Sequence, residues 1–115
     1  MDLKYLIRHS ENKENSPSIF LLHGYGSNKE DLFSLEGYLP KNHTIISLEA
    51  PIQIEMGGFA WYSINYNQNF EKWSNNEEAI LSIKQIYLSL LIIILFRRII
   101  NHFNVYFFYN IGYII

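Results

Sequence analysis

At 115 residues, with 49% apolar and 17% charged residues, the chain has the size and composition of one globular domain or a piece of one. Nine Lys and Arg against eleven Asp and Glu give a formal charge of −2, so nothing in the charge balance argues for nucleic acid as a partner. Cysteine is absent, which excludes disulfides, thiolate nucleophiles and Cys-ligated zinc.

Near the amino terminus, Lys4 and Arg8 flank only Tyr5-Leu6-Ile7. That run is too short for a signal-peptide core, and the expected compartment is the cytoplasm. Leu3–His9 reads as a strand, followed by the polar loop Ser10–Pro17, whose proline punctuates its end. Ser18–His23 is apolar without alternation, as expected of a strand covered on both faces. An antiparallel hairpin is expected to join these two strands.

Gly24-Tyr25-Gly26 then turns the chain into Ser27-x-x-Glu30, a capping box that opens a helix. Glu30 and Asp31 suit the positive end of the helix dipole, Leu32, Leu35 and Leu39 follow at helical spacing, and Pro40 stops the run. Thr44–Leu48 is a second β-branched strand, ended by Glu49-Ala50-Pro51. Strand, helix and strand in this order make a βαβ unit with parallel strands.

Residues 51–73 read as a long irregular loop rich in aromatic and amide side chains, of the kind that lines a site. Ser74-x-x-Glu77 is a second capping box, and Ala79, Ile80, Ile83, Ile86, Tyr87 and Leu90 mark one face of a helix. The chain then changes character. All eleven carboxylates lie at or before Glu78, and no Ser, Thr, Asp or Glu follows Ser89. Leu90–Phe96 is apolar but falls short of the roughly 18–20 residues of a membrane span. Arg97, Arg98, Asn101 and His102 break it from the greasy segment beyond.

The chemistry on offer is narrow. Gly24-x-Gly26 has Lys29 where a dinucleotide fingerprint needs a third glycine, and it lacks the Gly-Lys-Ser/Thr ending of a phosphate loop. Spacing alone leaves two readings open: a tight turn whose glycines permit positive φ, or a loop presenting backbone amides to a developing negative charge. His9, His23, His43 and His102 show no metal-ligand spacing, and no cofactor is expected. Glu30-Asp31 and Glu77-Glu78 are explained by helix starts rather than by paired acid–base work.

Leu21-Leu22-His23-Gly24-Tyr25-Gly26-Ser27-Asn28, Glu30-Asp31-Leu32, Glu49-Ala50-Pro51 and Gly58-Phe59-Ala60-Trp61-Tyr62 occur in order. Together they resemble the phospholipase/carboxylesterase family of α/β-hydrolases, which includes acyl-protein thioesterases, over about Leu3 to Tyr87. The resemblance implies the amino-terminal portion of an α/β-hydrolase sheet (hairpin plus βαβ) and a small acyl ester or thioester as substrate. It implies that the Tyr25 backbone N–H is an oxyanion-hole donor. His23, Gly24 and Gly26 would shape the loop, and Trp61 and Tyr62 would lie beside the acyl or leaving-group pocket. His23 would not be the base, which comes last in chain order in this fold.

The catalytic partners are missing from the pattern. No G-x-S-x-G elbow is present, neither Asp2 nor Asp31 follows the place of an elbow, and no acid lies beyond His102. Near the expected elbow, Asn110 stands where serine should and Gly112 matches a last glycine. The expectation is therefore an incomplete hydrolase domain over 1–87, with an apolar helical or irregular tail over 88–115 that is out of frame or degenerate. The gene's other reading frames past codon 88 would then recover a G-x-S-x-G. Without the elbow-bearing strand, Ser18–His23 would expose a bare, aggregation-prone edge unless Phe103–Tyr109 covers it. Two alternatives are a non-catalytic acyl-ligand-binding domain and a small protein anchored at a membrane by residues 86–115.

Overall fold

A computed structural model describes residues 3–12, 16–98 and 105–109. Within them, β1 (Tyr5–Arg8), β2 (Ser18–Leu22), α1 (Lys29–Phe33), a 3₁₀ turn (Glu36–Tyr38) and β3 (Thr44–Leu48) come first. Four short strands follow: β4 (Ile52–Gln53), β5 (Phe59–Ala60), β6 (Ile64–Tyr66) and β7 (Lys72–Ser74). The long helix α2 (Asn76–Arg98) and the strand β8 (Val105–Tyr109) complete the order. The architecture is mixed α/β, with a four-stranded sheet in the order β1-β3-β2-β8 and two separate two-stranded ribbons.

β2 and β3 run parallel, from Ser18 opposite Thr44 to Leu22 opposite Leu48, and every residue of both strands is buried. One face gathers Phe20, Leu22, Ile46 and Leu48 with Leu3 and with Leu90 from α2. The other gathers Ile19, Leu21 and Ile45 with Leu32 from α1. The unalternating apolar runs therefore mean what parallel-strand chemistry leads one to expect: both faces are covered. The buried Ser47 hydroxyl on the second face is satisfied by donating to the Lys29 carbonyl at 2.7 Å.

The expected hairpin between the first two strands does not form. β1 pairs antiparallel with β3, from Tyr5 opposite Leu48 to Arg8 opposite Ile45. The connection His9–Pro17 exceeds the about 2–5 residues of a hairpin loop, and β2 is flanked by β3 and β8. β8 lies parallel to β2, with Ser18 opposite Val105 and Leu22 opposite Tyr109, so the edge expected to be bare is occupied. α2 also runs unbroken through residue 88, where the composition changes.

Both capping boxes shift. Ser27 is bonded to Phe59 through its backbone, so the cap of α1 passes to Asn28, whose side chain accepts from the Asp31 N–H at 2.9 Å. The Ser27 hydroxyl donates instead to the Asp31 carboxylate at 2.5 Å. Ser74 is taken into β7, and Asn75 accepts from the Glu78 N–H at 3.2 Å. Helix α1 ends at Phe33 rather than running to Pro40, and Leu35 is exposed. Arg8 accounts for the change: its guanidinium donates to the carbonyls of Glu36, Pro40 and His43 and pairs with the Glu36 carboxylate at 2.8 Å. Those acceptors are turned towards β1 instead of continuing a helix.

Residues 51–73 are not wholly irregular, since β4 pairs with β5 and β6 with β7 across their turns. On α2 the buried side is Ser82 and Leu90 with Ile86 half-buried, whereas Ile80, Ile83 and Tyr87, expected to face inward, are exposed. A helix apolar all round has no hydrophobic phase of its own. Its rotation is set by polar contacts: Ser82 Oγ donates to the Trp61 carbonyl, and Glu78 accepts from the Ser63 N–H at 2.6 Å. Among the described residues, no helix is long and apolar enough to cross a membrane.

Replacing Arg8 by Leu would leave the turned carbonyls and the Glu36 carboxylate without their common donor. The expected loss is about 2–3 kcal/mol of unfolding free energy, read as a lower urea midpoint, with Leu35–His43 losing hydrogen-exchange protection first.

Candidate functional site

The segment His23–Ser27 leaves the carboxyl end of β2, and the structure gathers His23, Gly24, Tyr25 and Gly26 into one loop there. His23 is the loop's root. Its side chain is 2% exposed, and its two ring nitrogens have different partners. The Ala50 backbone N–H donates to Nε2 at 3.0 Å, so Nε2 carries the lone pair. Nδ1 lies 2.8 Å from the Gly24 carbonyl and therefore carries the proton. The ring is the neutral Nδ1–H tautomer. Burial holds its pKa below the ordinary 6.5, outweighing the opposing effects of the Gly24 carbonyl and the Glu49 charge. With its lone pair engaged, His23 joins two strand ends and is not positioned as a base.

Trp61 secures the same point from the other side. Its indole N–H donates to the His23 carbonyl at 2.8 Å, its ring lies 5.5 Å from the imidazole at a 31° tilt, and it packs against the core face of Phe20 and Leu48. Tyr62 follows it, half-buried. The aromatic pair named from the sequence thus includes one residue whose polar atom holds the loop.

The far end of the loop is clamped by β5. The Gly26 N–H donates to the Phe59 carbonyl at 2.9 Å, and the Phe59 N–H returns to the Ser27 carbonyl at 2.8 Å. This approach is close enough to demand glycine. A Cβ at Gly58, whose φ is +80°, would stand 2.1 Å from the Gly26 carbonyl oxygen. Gly57 has φ +97° but open space around its would-be Cβ.

Held at His23, Gly26 and Ser27, the loop leaves backbone donors over, the Tyr25 N–H among them. Among the described residues the Tyr25 N–H makes no hydrogen bond, and Tyr25 is exposed. Such an amide on a pinned loop can donate to a carbonyl oxygen, an oxyanion or a carboxylate. Below it, Lys29 ties α1 to the end of β3. Its ammonium lies 2.9 Å from the buried Glu49 carboxylate and 2.9 Å from Glu30, and these two hydrogen bonds raise its pKa.

Asn28, Gly58, the Ala50 amide and the Lys29–Glu49 pair were not legible as site supports. The Gly57-Gly58 doublet was the one available signal, without indicating what the second glycine approaches. Asp31 is drawn into the helix start through Ser27. Asp2, His102, Asn110 and Gly112 lie outside the described residues. Among the described residues, no group of three or more His, Asp or Glu could hold a metal ion.

Two outcomes follow from this geometry. Gly57→Ala should cost about 1–2 kcal/mol through its backbone angle alone. Gly58→Ala should cost about 3–4 kcal/mol, because the hydrogen bonds linking Phe59 to Gly26 and Ser27 must open as well. Urea unfolding of the two variants checks the difference. For His23, the unfolded chain binds the proton more tightly than the folded one. Stability should therefore fall as pH drops below 6.5 and through the lowered folded value. Urea midpoints across that range should show the decline in the parent and its absence in His23→Gln.

Comparison with known protein families, with curated proteins and with solved structures finds no match to this chain.

Proposed function

We propose that this chain carries the oxyanion-binding half of a carboxylic-ester hydrolase site of the phospholipase/carboxylesterase type, and that the 115-residue chain itself does not turn esters over. The observation that carries this reading is the Tyr25 N–H, unengaged among the described residues, on a loop clamped at both ends. Its place at the carboxyl end of a central parallel strand supports the reading, since ligands of open α/β sheets bind there. One donor of this kind is worth about 3–4 kcal/mol of transition-state stabilisation in acyl transfer.

The sheet order supports it further. In α/β-hydrolases the nucleophile elbow follows a parallel strand, and the second oxyanion donor comes from another strand–helix loop. Here β8 neighbours β2 in parallel register, with Tyr109 opposite Leu22. An elbow leaving β8 would therefore rise beside the His23–Ser27 loop. The residue that follows is Asn110, whose amide has no nucleophilic oxygen to attack a carbonyl. The substrate class is an acyl ester or thioester, and the cytoplasm is the proposed compartment.

Two measurements on the full chain test this. With p-nitrophenyl acetate, the expected rate equals the buffer background and is unchanged by a serine-directed fluorophosphonate. In a ¹H–¹⁵N titration with octanoate, whose carboxylate mimics the oxyanion, the Tyr25 amide should move more than the Gly26 and Ala50 amides. Inhibitor-sensitive turnover would overturn the claim of inactivity, and a Tyr25 amide indifferent to octanoate would overturn the oxyanion role.

A further inference from the structure

The imidazole of His23 is held by two hydrogen bonds that only its neutral form can make together. Nε2 accepts from the Ala50 N–H at 3.0 Å, and Nδ1–H faces the Gly24 carbonyl at 2.8 Å. The first bond joins the segments that leave the carboxyl ends of β2 and β3, at a residue only 2% exposed. A second proton would enter at Nε2, the one ring nitrogen with a lone pair. Two N–H donors would then face each other at hydrogen-bond distance, and the contact with Ala50 would have to open.

The carboxylates around the ring are already engaged. From the end of β3 comes Glu49, which is bonded to Lys29 at 2.9 Å. From the start of α1 come Glu30, paired with the same ammonium, and Asp31, which accepts from the Ser27 hydroxyl. All three favour the proton, but burial outweighs them. From the segment after β5, Trp61 lays an uncharged ring against the imidazole. The loop's other clamp, Gly26 and Ser27 on Phe59, is made of backbone groups that do not titrate. Acid therefore acts on this loop at one end only.

We propose that His23 is a proton-operated latch on the anion-binding loop. Neutral, it ties the ends of β2 and β3 and holds the Tyr25 amide in place. Protonated, it releases Ala50, the loop opens at its root, and an anion is no longer held. The ligand half of this inference rests on the oxyanion reading of Tyr25, whereas the latch itself can be followed at Ala50 with no ligand present.

Ring ¹⁵N shifts and amide exchange, followed in the full chain from about pH 7.5 to about pH 5.0, test the latch. As Nε2 takes up its proton, the protection factor of the Ala50 amide should fall about tenfold, while Ile45 and Ile46 of β3 keep theirs. Octanesulfonate, an anion across this range, tests the loop. Its Kd should rise about fivefold or more towards acid, since apparent affinity scales with the fraction of loops closed. In His23→Gln, whose side-chain carbonyl can accept from Ala50 at any pH, both quantities should be flat with pH, whatever their level. The ring and amide measurements use the parent chain and stand if that variant fails to fold. A ring that stays neutral throughout, or one that protonates with Ala50 still protected, would overturn the latch. Loss of protection at Ile45 and Ile46 together with Ala50 would be general unfolding and would overturn it too. Octanesulfonate binding that tightens in acid, or weakens equally in His23→Gln, would contradict control of the ligand by His23. If octanesulfonate fails to bind even at the upper pH, the oxyanion reading falls, and the Ala50 amide still decides the latch.

Discussion

A parallel strand pair buried at every position constrains everything around it. β2 and β3 have no solvent face, so each side of the sheet must be roofed, and each outward edge must find a partner. The roofs are α1 with the turn after it on one side and α2 on the other. The edges are taken by β1 beyond β3 and β8 beyond β2. The buried polar groups follow the same demand: Ser47 reaches a helix carbonyl, and Glu49 at the end of β3 meets the ammonium of Lys29. Each of these pairs fixes the start of α1 against the carboxyl end of the sheet.

That fixing makes the glycine loop more than a turn. His23 and Ala50 sit at the ends of the two buried strands, and the imidazole spans them in one tautomer. Trp61 and Phe59 bring the β4–β5 ribbon down onto the same loop. These clamps engage the Gly26 N–H and the Ser27 carbonyl and leave the Tyr25 N–H without a partner among the described residues. A preorganised amide of this kind needs no rearrangement to meet a developing negative charge, which is where such donors gain their catalytic worth. In the proposed oxyanion role this amide would have no attacking serine beside it, since no serine lies within an elbow pattern anywhere in the chain.

What could be read in the sequence was mainly local. The two unalternating apolar runs located β2 and β3, and their order with a helix between them implied parallel pairing, as observed. Strand partners were less legible, because β1 pairs not with the next strand in sequence but with β3, and Arg8 bonds to carbonyls about 30 residues away in the chain. The caps failed by one position for a tertiary reason: Ser27 and Ser74 are claimed by ladder contacts, so the neighbouring asparagines cap instead. The phase of α2 was illegible in principle, since isoleucines and leucines surround it and two hydroxyl and carboxylate contacts decide which side faces in. At the site, the His-Gly-x-Gly pattern marked the loop. Nothing in the spacing revealed that Gly58 must lack a Cβ for another backbone to approach.

The central claim is a rigid loop on which the Tyr25 amide is unengaged, and native-state hydrogen exchange resolved residue by residue tests it most directly. The account requires the Tyr25 N–H to exchange at close to its unprotected rate while Gly26, Ala50 and Phe59, each donating to a named acceptor, exchange far more slowly. Protection at Tyr25 equal to that of its neighbours would mean the amide is already spent. Rapid exchange at Gly26 and Ala50 would mean the loop is not clamped. Either result would contradict the account.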